Sequence, residues 1–222
     1  MVFITAIVTV ASLAAGPTDP QRPDWAAETV PDTIVTLVER AADTDGDERK
    51  ELLREAERHA RESLAEGDDI GRRYALAVVL ALRANAEGGR TKVQTAAALS
   101  EQLDLILTAE PHHVGARHML GRLHAGIRRM GTVSRWLAKN VMGAGALADA
   151  TWEEAERNLA YAEQQAPWVA DHHLQLALLY RDTGRPQLAS MEVSHALDIE
   201  PRNALEHAVR EEALKVRSEL GQ

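Results

Sequence analysis

The chain has 222 residues, no cysteine and a formal net charge of -9. This acidic balance opposes nucleic-acid binding and broad docking on anionic membranes, and the lack of cysteine excludes disulfides, thiol catalysis and cysteine-based zinc sites. Hydrophobic residues make up 45% of the chain but aromatic residues only 4%, so the core must consist largely of alanine, leucine and valine. Such a composition favours closely packed helices over a β-sandwich or barrel. We therefore expect an all-α protein.

The N-terminal segment, residues 1–16, is a nearly uninterrupted apolar run that ends in small residues. It is shorter than the roughly 20 residues that span a bilayer, and its apolar length is typical of a signal peptide although no positive charge precedes it. We expect export, to the periplasm, with an N-terminal membrane anchor or a buried terminal helix as alternatives. Residues 17–29 are rich in proline and predict a linker, which leaves residues 30–221 as the helical domain.

Four helices are predicted in the first half of the domain. The first begins near Pro31 and ends within residues 43–47, where acidic residues and a glycine interrupt the apolar period. A second amphipathic helix ends at Gly67. The third, over residues 70–86, is apolar nearly all round, which predicts a central position in a stack. Its partner helix is predicted over residues 91–108.

Residues 170–201 carry the pattern of a complete tetratricopeptide repeat, a pair of antiparallel helices. Small residues at two positions let the helices approach closely, and larger apolar residues fill the seam between them. The pattern predicts an α-solenoid built from such pairs. Its diagnostic positions are Leu176, Ala177, Tyr180, Ala189, Val193 and Pro201.

The preceding repeat is interrupted. Leu120 and Ala155 are 35 residues apart, whereas the equivalent Leu176 and Ala189 are 13 apart, which leaves an insertion of 22 residues. Thr151 and the glutamate three residues later form a capping box that restarts the second helix. We interpret the insertion as a short helix that covers the groove, with a membrane-touching hairpin as the alternative. Its predicted lid residues are Arg135, Trp136, Leu137 and Lys139.

A last helix, from about residue 204 to 220, has an apolar stripe and a charged opposite side. A polar outer face is what the terminal helix of a solenoid requires, because no further repeat covers it. We therefore predict a C-terminal capping helix.

Several short motifs accompany the split repeat. They are Gly88-Gly89-Arg90-Thr91-Lys92-Val93, Pro111 followed by His118, Leu120-Gly121-Arg122, Arg135-Trp136-Leu137-x-Lys139 and Ala150-Thr151-x-Glu153-x-Ala155. Together they resemble the regulator of microtubule dynamics family of tetratricopeptide proteins, including its bacterial relatives, over about residues 50–205. The resemblance implies a helical interaction domain without catalysis and, in eukaryotic members, a link to microtubules or organelle membrane contacts.

The chain departs from that family at Leu123, where the family tends to carry tryptophan. Microtubule surfaces are acidic, so a chain with a net charge of -9 is a poor candidate for binding them directly by electrostatic attraction. We carry over the fold from the resemblance and not the microtubule role.

If the repeats superpose, the fifth and ninth residues of each first helix face the concave groove. The groove is then apolar with a basic rim, which suits an extended peptide or an acyl chain with an acidic end. Alternatively, the same side chains pack against the inserted helix. The predicted groove residues are Tyr74, Val78, His118, Arg122, Leu174, Leu178 and, one turn further on, Arg181.

No catalytic, metal or cofactor site is predicted. The serines lack a nucleophile elbow, no glycine-rich phosphate loop is present, and none of the histidine pairs considered has metal-ligand spacing on one helix. His172 and His173 are interpreted as solvated residues at the start of a helix. We expect a scaffold that binds a protein or peptide; the alternatives are a lipid or small apolar ligand under the inserted helix, and a structural assembly module. Membrane contact is expected only through the N-terminus or the inserted helix.

Overall fold

A computed structural model of the protein describes residues 25–130 and 150–221. Within these ranges all regular secondary structure is helical, as predicted. The helices are α1 (Asp32–Ala42), α2 (Gly46–Glu66), α3 (Ile70–Ala86), α4 (Gly89–Ala109), α5 (Val114–Arg129), α6 (Trp152–Gln165), α7 (Ala170–Asp182), α8 (Pro186–Asp198) and α9 (Ala204–Glu219). The predicted signal segment 1–16, most of the linker 17–29, and the inserted-helix residues Arg135, Trp136, Leu137 and Lys139 lie outside the described residues.

Each described helix packs against the next helix along the chain. Except between α5 and α6, short connections join these neighbours, which makes them antiparallel. The most extensive packing is within the pairs α3 with α4, α5 with α6, and α7 with α8. Contacts between α5 and α7 and between α7 and α9 then join successive pairs. This arrangement confirms the predicted α-solenoid of helix pairs.

Side-chain caps fix where several helices begin. The Asp69 carboxylate accepts a hydrogen bond from the backbone N–H of Arg72 at 2.9 Å, and the Asn203 amide oxygen caps α9 in the same way. At the start of α6, the Thr151 hydroxyl accepts a 3.0 Å hydrogen bond from the N–H of Glu154. The Glu154 carboxylate binds Arg157 instead of reaching back to Thr151, so only one half of the predicted capping box forms.

The seam of the regular repeat is filled differently from the prediction. Ala177 and Val193 share a buried cluster that joins α7, α8 and α9, as close helix approach requires. Leu176 and Tyr180 instead pack with Leu159 of α6, in the cluster that joins α7 to the preceding pair. Leu176 and Tyr180 therefore stabilise the contact between repeats.

The last helix connects both halves of the solenoid. Leu205, which is 2% exposed, belongs to the large core cluster that also contains Trp25, Tyr74 and Met119. Further along α9, Val209 joins the cluster of α7 and α8. Helix α9 also contacts α1. Helix α9 therefore packs against the first part of the chain in addition to capping the last helix pair.

The packed chain begins before the predicted domain start. Trp25 and Ala26 are only 1% and 6% exposed and lie in the core, although both fall within the predicted linker 17–29. Burial of a tryptophan of this size accounts for the ordered chain ahead of α1. None of the described helices has the length and apolar character needed to cross a membrane.

Candidate interaction site

A buried polar cluster joins α5 to the start of α7. The Asp171 side chain is completely buried. It accepts hydrogen bonds from His118 Nε2 at 3.0 Å, Arg122 Nη1 at 2.9 Å and Gln175 Nε2 at 2.9 Å. A buried carboxylate is tolerated when it is paired and hydrogen-bonded in this way, because the bonds replace its lost hydration. The cluster therefore links two successive repeats through hydrogen bonds.

The surroundings of this cluster fix its protonation. Burial alone would raise the pKa of Asp171, but the charge of Arg122 and the hydrogen bonds from His118 and Gln175 outweigh it and hold the pKa at about 2. Burial lowers the pKa of His118. Burial and the neighbouring His118 lower the pKa of His172 to about 3. At neutral pH the cluster thus contains a carboxylate, a guanidinium and neutral imidazoles.

The two imidazoles of the cluster lie close together, with ring centroids 4.6 Å apart. His172 Nδ1 donates to the Ala166 carbonyl at 3.2 Å, and His118 Nε2 donates to Asp171. The other nitrogens of both rings are buried without a hydrogen bond to the described protein, as is the Tyr74 hydroxyl. Burial raises the pKa of Tyr74 well above its usual value, so its hydroxyl remains protonated.

The structure brings some of the predicted groove residues together and separates others. His118 and Arg122 bind Asp171 directly, and Tyr74 is near enough for the charges of Arg122 and Asp171 to act on its hydroxyl. Val78 lies in the core of the first helices, and Leu174 and Leu178 pack against α9. Arg181 is at the far end of α7. The five that are fully buried are Tyr74, Val78, His118, Leu174 and Leu178; binding of a partner at any of the seven stays a prediction.

A second polar cluster lies where three helices end, and we call it the C-terminal edge. It consists of Arg129 on α5, Arg181 and Asp182 on α7, and Glu219 on α9. Arg129 Nε donates to Asp182 at 2.5 Å, and Arg181 Nη1 donates to Glu219 at 2.6 Å. Arg181 also contacts Asp182, at 3.1 Å. Arginines at helix C-termini are favourable because the helix dipole is negative there.

The segment 131–149 leaves and re-enters the described structure beside the C-terminal edge. Met130 follows directly on Arg129, and Ala150 packs in the same small apolar cluster as Ile127, one turn before the end of α5. The described residues on both sides of the segment 131–149 therefore lie near this edge.

Sequence reasoning missed the residues at the start of α7. His172 and His173 are 0% and 4% exposed, so the interpretation that they are solvated is wrong. Helix α7 contacts α6, α8 and α9, and this packing buries Asp171, His172 and His173 in its first turn. Asp171 was the signal in the sequence that could have predicted this cluster. A carboxylate at the start of an otherwise apolar central helix requires hydrogen-bonding partners.

A family model described as regulator of microtubule dynamics protein 1-3 matches residues 33–221. The chain belongs to this family. The match runs from the first turn of α1 past the end of α9 and includes the segment 131–149, so it extends beyond the residues that carried the resemblance. The family is one of regulatory helical proteins and not a known enzyme family. Among curated proteins, no match to the chain is found.

Proposed function

We propose that this protein is a non-catalytic scaffold that binds an acidic segment of a partner protein at the C-terminal edge. The observation that supports the proposal is that Arg129, from one repeat, and Arg181, from the next, both contact the carboxylate of Asp182. Arginine is enriched among the residues that dominate protein interfaces, and its planar head group binds carboxylates through two parallel hydrogen bonds.

The C-terminal edge is open to exchange of partners. The side chains of Arg129 and Arg181 are 25% and 27% exposed, and Glu219, which holds Arg181, is 56% exposed. A carboxylate of a partner can replace Glu219 without leaving a buried charge unpaired, so exchange costs little. Arg122 is a weaker candidate, because it is 14% exposed and held by the buried Asp171.

The sequence of the insertion suggests a further part of the binding surface. It has a tryptophan, Trp136, between the basic residues Arg135 and Lys139. An aromatic anchor surrounded by polar contacts is the usual composition of an interface centre. We propose that Trp136 with Arg135 and Lys139 extends the binding surface formed by Arg129 and Arg181.

Site-specific photo-crosslinking in the native host tests this function. A photo-crosslinking amino acid replaces Ser218, an exposed residue beside Glu219, in one variant and Glu219 itself in another. As the control, it replaces Arg58 of α2, whose side chain is 54% exposed. We expect one protein to be captured from both edge positions and not from position 58. Capture of a lipid in place of a protein, or equal capture at all three positions, would contradict the proposal.

We further propose that the protein acts after export, on the basis of the apolar segment 1–16 and the linker 17–29. Mass spectrometry of the natively purified protein tests this step separately. Cleavage near residue 16 is expected. An intact N-terminus on protein recovered from the cytoplasm would refute export without affecting the proposed edge.

A further inference from the structure

Three potential metal-binding side chains converge at the contact between α7 and α8. They are His173 on α7 and Glu192 and His195 on α8, and one ligand atom from each lies within 4.8 Å of the other two. His173 Nδ1 is 2.8 Å from Glu192 Oε2, and His195 Nδ1 is 3.9 Å from the same oxygen. His173 and Glu192 are buried, whereas half of the His195 side chain is exposed.

The backbone places these groups as a metal site requires. Glu192 and His195 are three residues apart, so they lie on the same face of α8. His173 Nε2 donates to the Pro167 carbonyl at 2.8 Å, which directs Nδ1 of the same ring towards Glu192. A backbone carbonyl that fixes the orientation of a histidine ring is a common outer contact of metal-binding histidines.

The charged groups around Glu192 also favour the binding of a cation. It is 7% exposed, and the ion pairs that it makes in the described part of the chain are with the two imidazoles, His173 and His195. Glu163 on α6 adds a second negative charge that acts on His173. Two carboxylates beside two imidazoles give a local environment that attracts a divalent ion.

We propose that His173, Glu192 and His195 bind a divalent transition-metal ion of the Zn²⁺ class. Two imidazole nitrogens and one carboxylate oxygen are a usual ligand set for zinc, with bonds of about 2.0–2.2 Å that place tetrahedral ligand atoms roughly 3.3 Å apart. The observed separations of 2.8 and 3.9 Å lie on either side of that value. The ion takes the position of the proton between His173 Nδ1 and Glu192 Oε2, and that proton passes to solvent.

The proposed site leaves one coordination position of the ion open to solvent and links α7 to α8. The exposed side of His195 gives access to the ion, and a water molecule completes a tetrahedral set. Because its ligands come from both α7 and α8, the ion holds the two helices of the pair together. Binding therefore stabilises the folded chain in proportion to the concentration of free metal.

Titration of the tag-free, full-length protein with Co²⁺ and Zn²⁺ tests the site. Co²⁺ reports its coordination through its visible absorption, and Zn²⁺ binding is followed by calorimetry and by the thermal unfolding midpoint. We expect one metal ion per chain and a higher unfolding temperature with Zn²⁺. His195→Ala, a change at a half-exposed side chain, should weaken binding by about tenfold or more, as should Glu192→Gln.

The matched control is His207→Ala, which removes an exposed histidine from α9. It should bind both metals as the unmodified chain does. Circular dichroism verifies that each variant is folded before titration. The proposal is overturned if the chain shows no saturable 1:1 binding, or if His195→Ala and Glu192→Gln bind as tightly as the control.

Discussion

Arg122 on α5 donates a 2.9 Å hydrogen bond to the completely buried carboxylate of Asp171 on α7. The two residues are 49 positions apart, and the segment 131–149 lies between them in the chain. A hydrogen bond weakens steeply outside a narrow range of distances and angles. This pair therefore favours one position of α5 relative to α7.

Removing the negative charge of this pair should be strongly destabilising. Asp171→Asn leaves the Arg122 guanidinium in a poorly hydrated position without its counter-charge, and we expect the unfolding free energy to fall by about 3 kcal/mol or more. Urea unfolding measures the change. Asp104→Asn, the same substitution at an exposed position of α4, should change stability by less than about 0.5 kcal/mol. Equal losses of stability in the two variants would show that the buried carboxylate contributes no more to stability than an exposed one does.

The close approach of α5 and α6 depends on Gly121. A Cβ atom added there would lie 2.7 Å from Leu159 Cγ and 2.9 Å from the Ala155 carbonyl oxygen. Gly121→Ala should therefore destabilise the fold by about 1–3 kcal/mol through overpacking. Gly126→Ala on the same helix is the control, because an added Cβ meets nothing within 4 Å. It should be neutral or stabilise by up to about 1 kcal/mol. A stabilising Gly121→Ala would contradict the observed helix separation.

Acid should destabilise the fold well before its carboxylates are protonated. In the folded chain His172 has a pKa of about 3, compared with the usual 6.5. Between these values the unfolded chain binds a proton that the folded chain does not, so stability falls with decreasing pH, by about 1.4 kcal/mol per unit. Burial lowers the pKa of His118 and adds a loss of the same sign. Asp171 adds a further loss only between its usual pKa of 3.8 and its folded value of about 2.

Urea unfolding at pH 7 and pH 5 measures this dependence. His172→Gln should have a smaller difference between the two pH values than the unmodified chain. Leu176→Ala, a core truncation with no titratable group, should lower stability equally at both. A His172→Gln variant with the full pH dependence would show that the titrating group lies elsewhere.

The regular helices could be predicted because local signals determine them. Periodic apolar residues and the glycines after them placed α3 and the end of α2 where the structure has them. The start of α4 is less well predicted, because Gly89 adopts a φ of +55° inside the first turn, which only glycine does readily. Propensity alone therefore predicts a break at Gly89, whereas in the structure Gly89 begins α4.

The candidate site could be predicted only in part, because it depends on how distant segments meet. Counting repeat positions selected Tyr74, His118 and Arg122 and brought them to one region. It could not show that Asp171 lies between them, or that α9 packs against Leu174 and Leu178. The cluster of His173 with Glu192 and His195 escaped notice because a search for histidine pairs on one helix does not register a ligand set divided between two helices.

An affinity measurement tests most directly the proposal that Arg129 and Arg181 form the partner-binding edge. The captured protein is purified, and calorimetry compares its binding to the unmodified chain, to the double variant Arg129→Gln with Arg181→Gln, and to a control double variant, Arg58→Gln with Arg157→Gln, at two exposed positions away from the edge. We expect the edge variant to bind at least about tenfold more weakly, with less dependence on salt, and the control to bind normally. Equal affinities for all three proteins would contradict the claim.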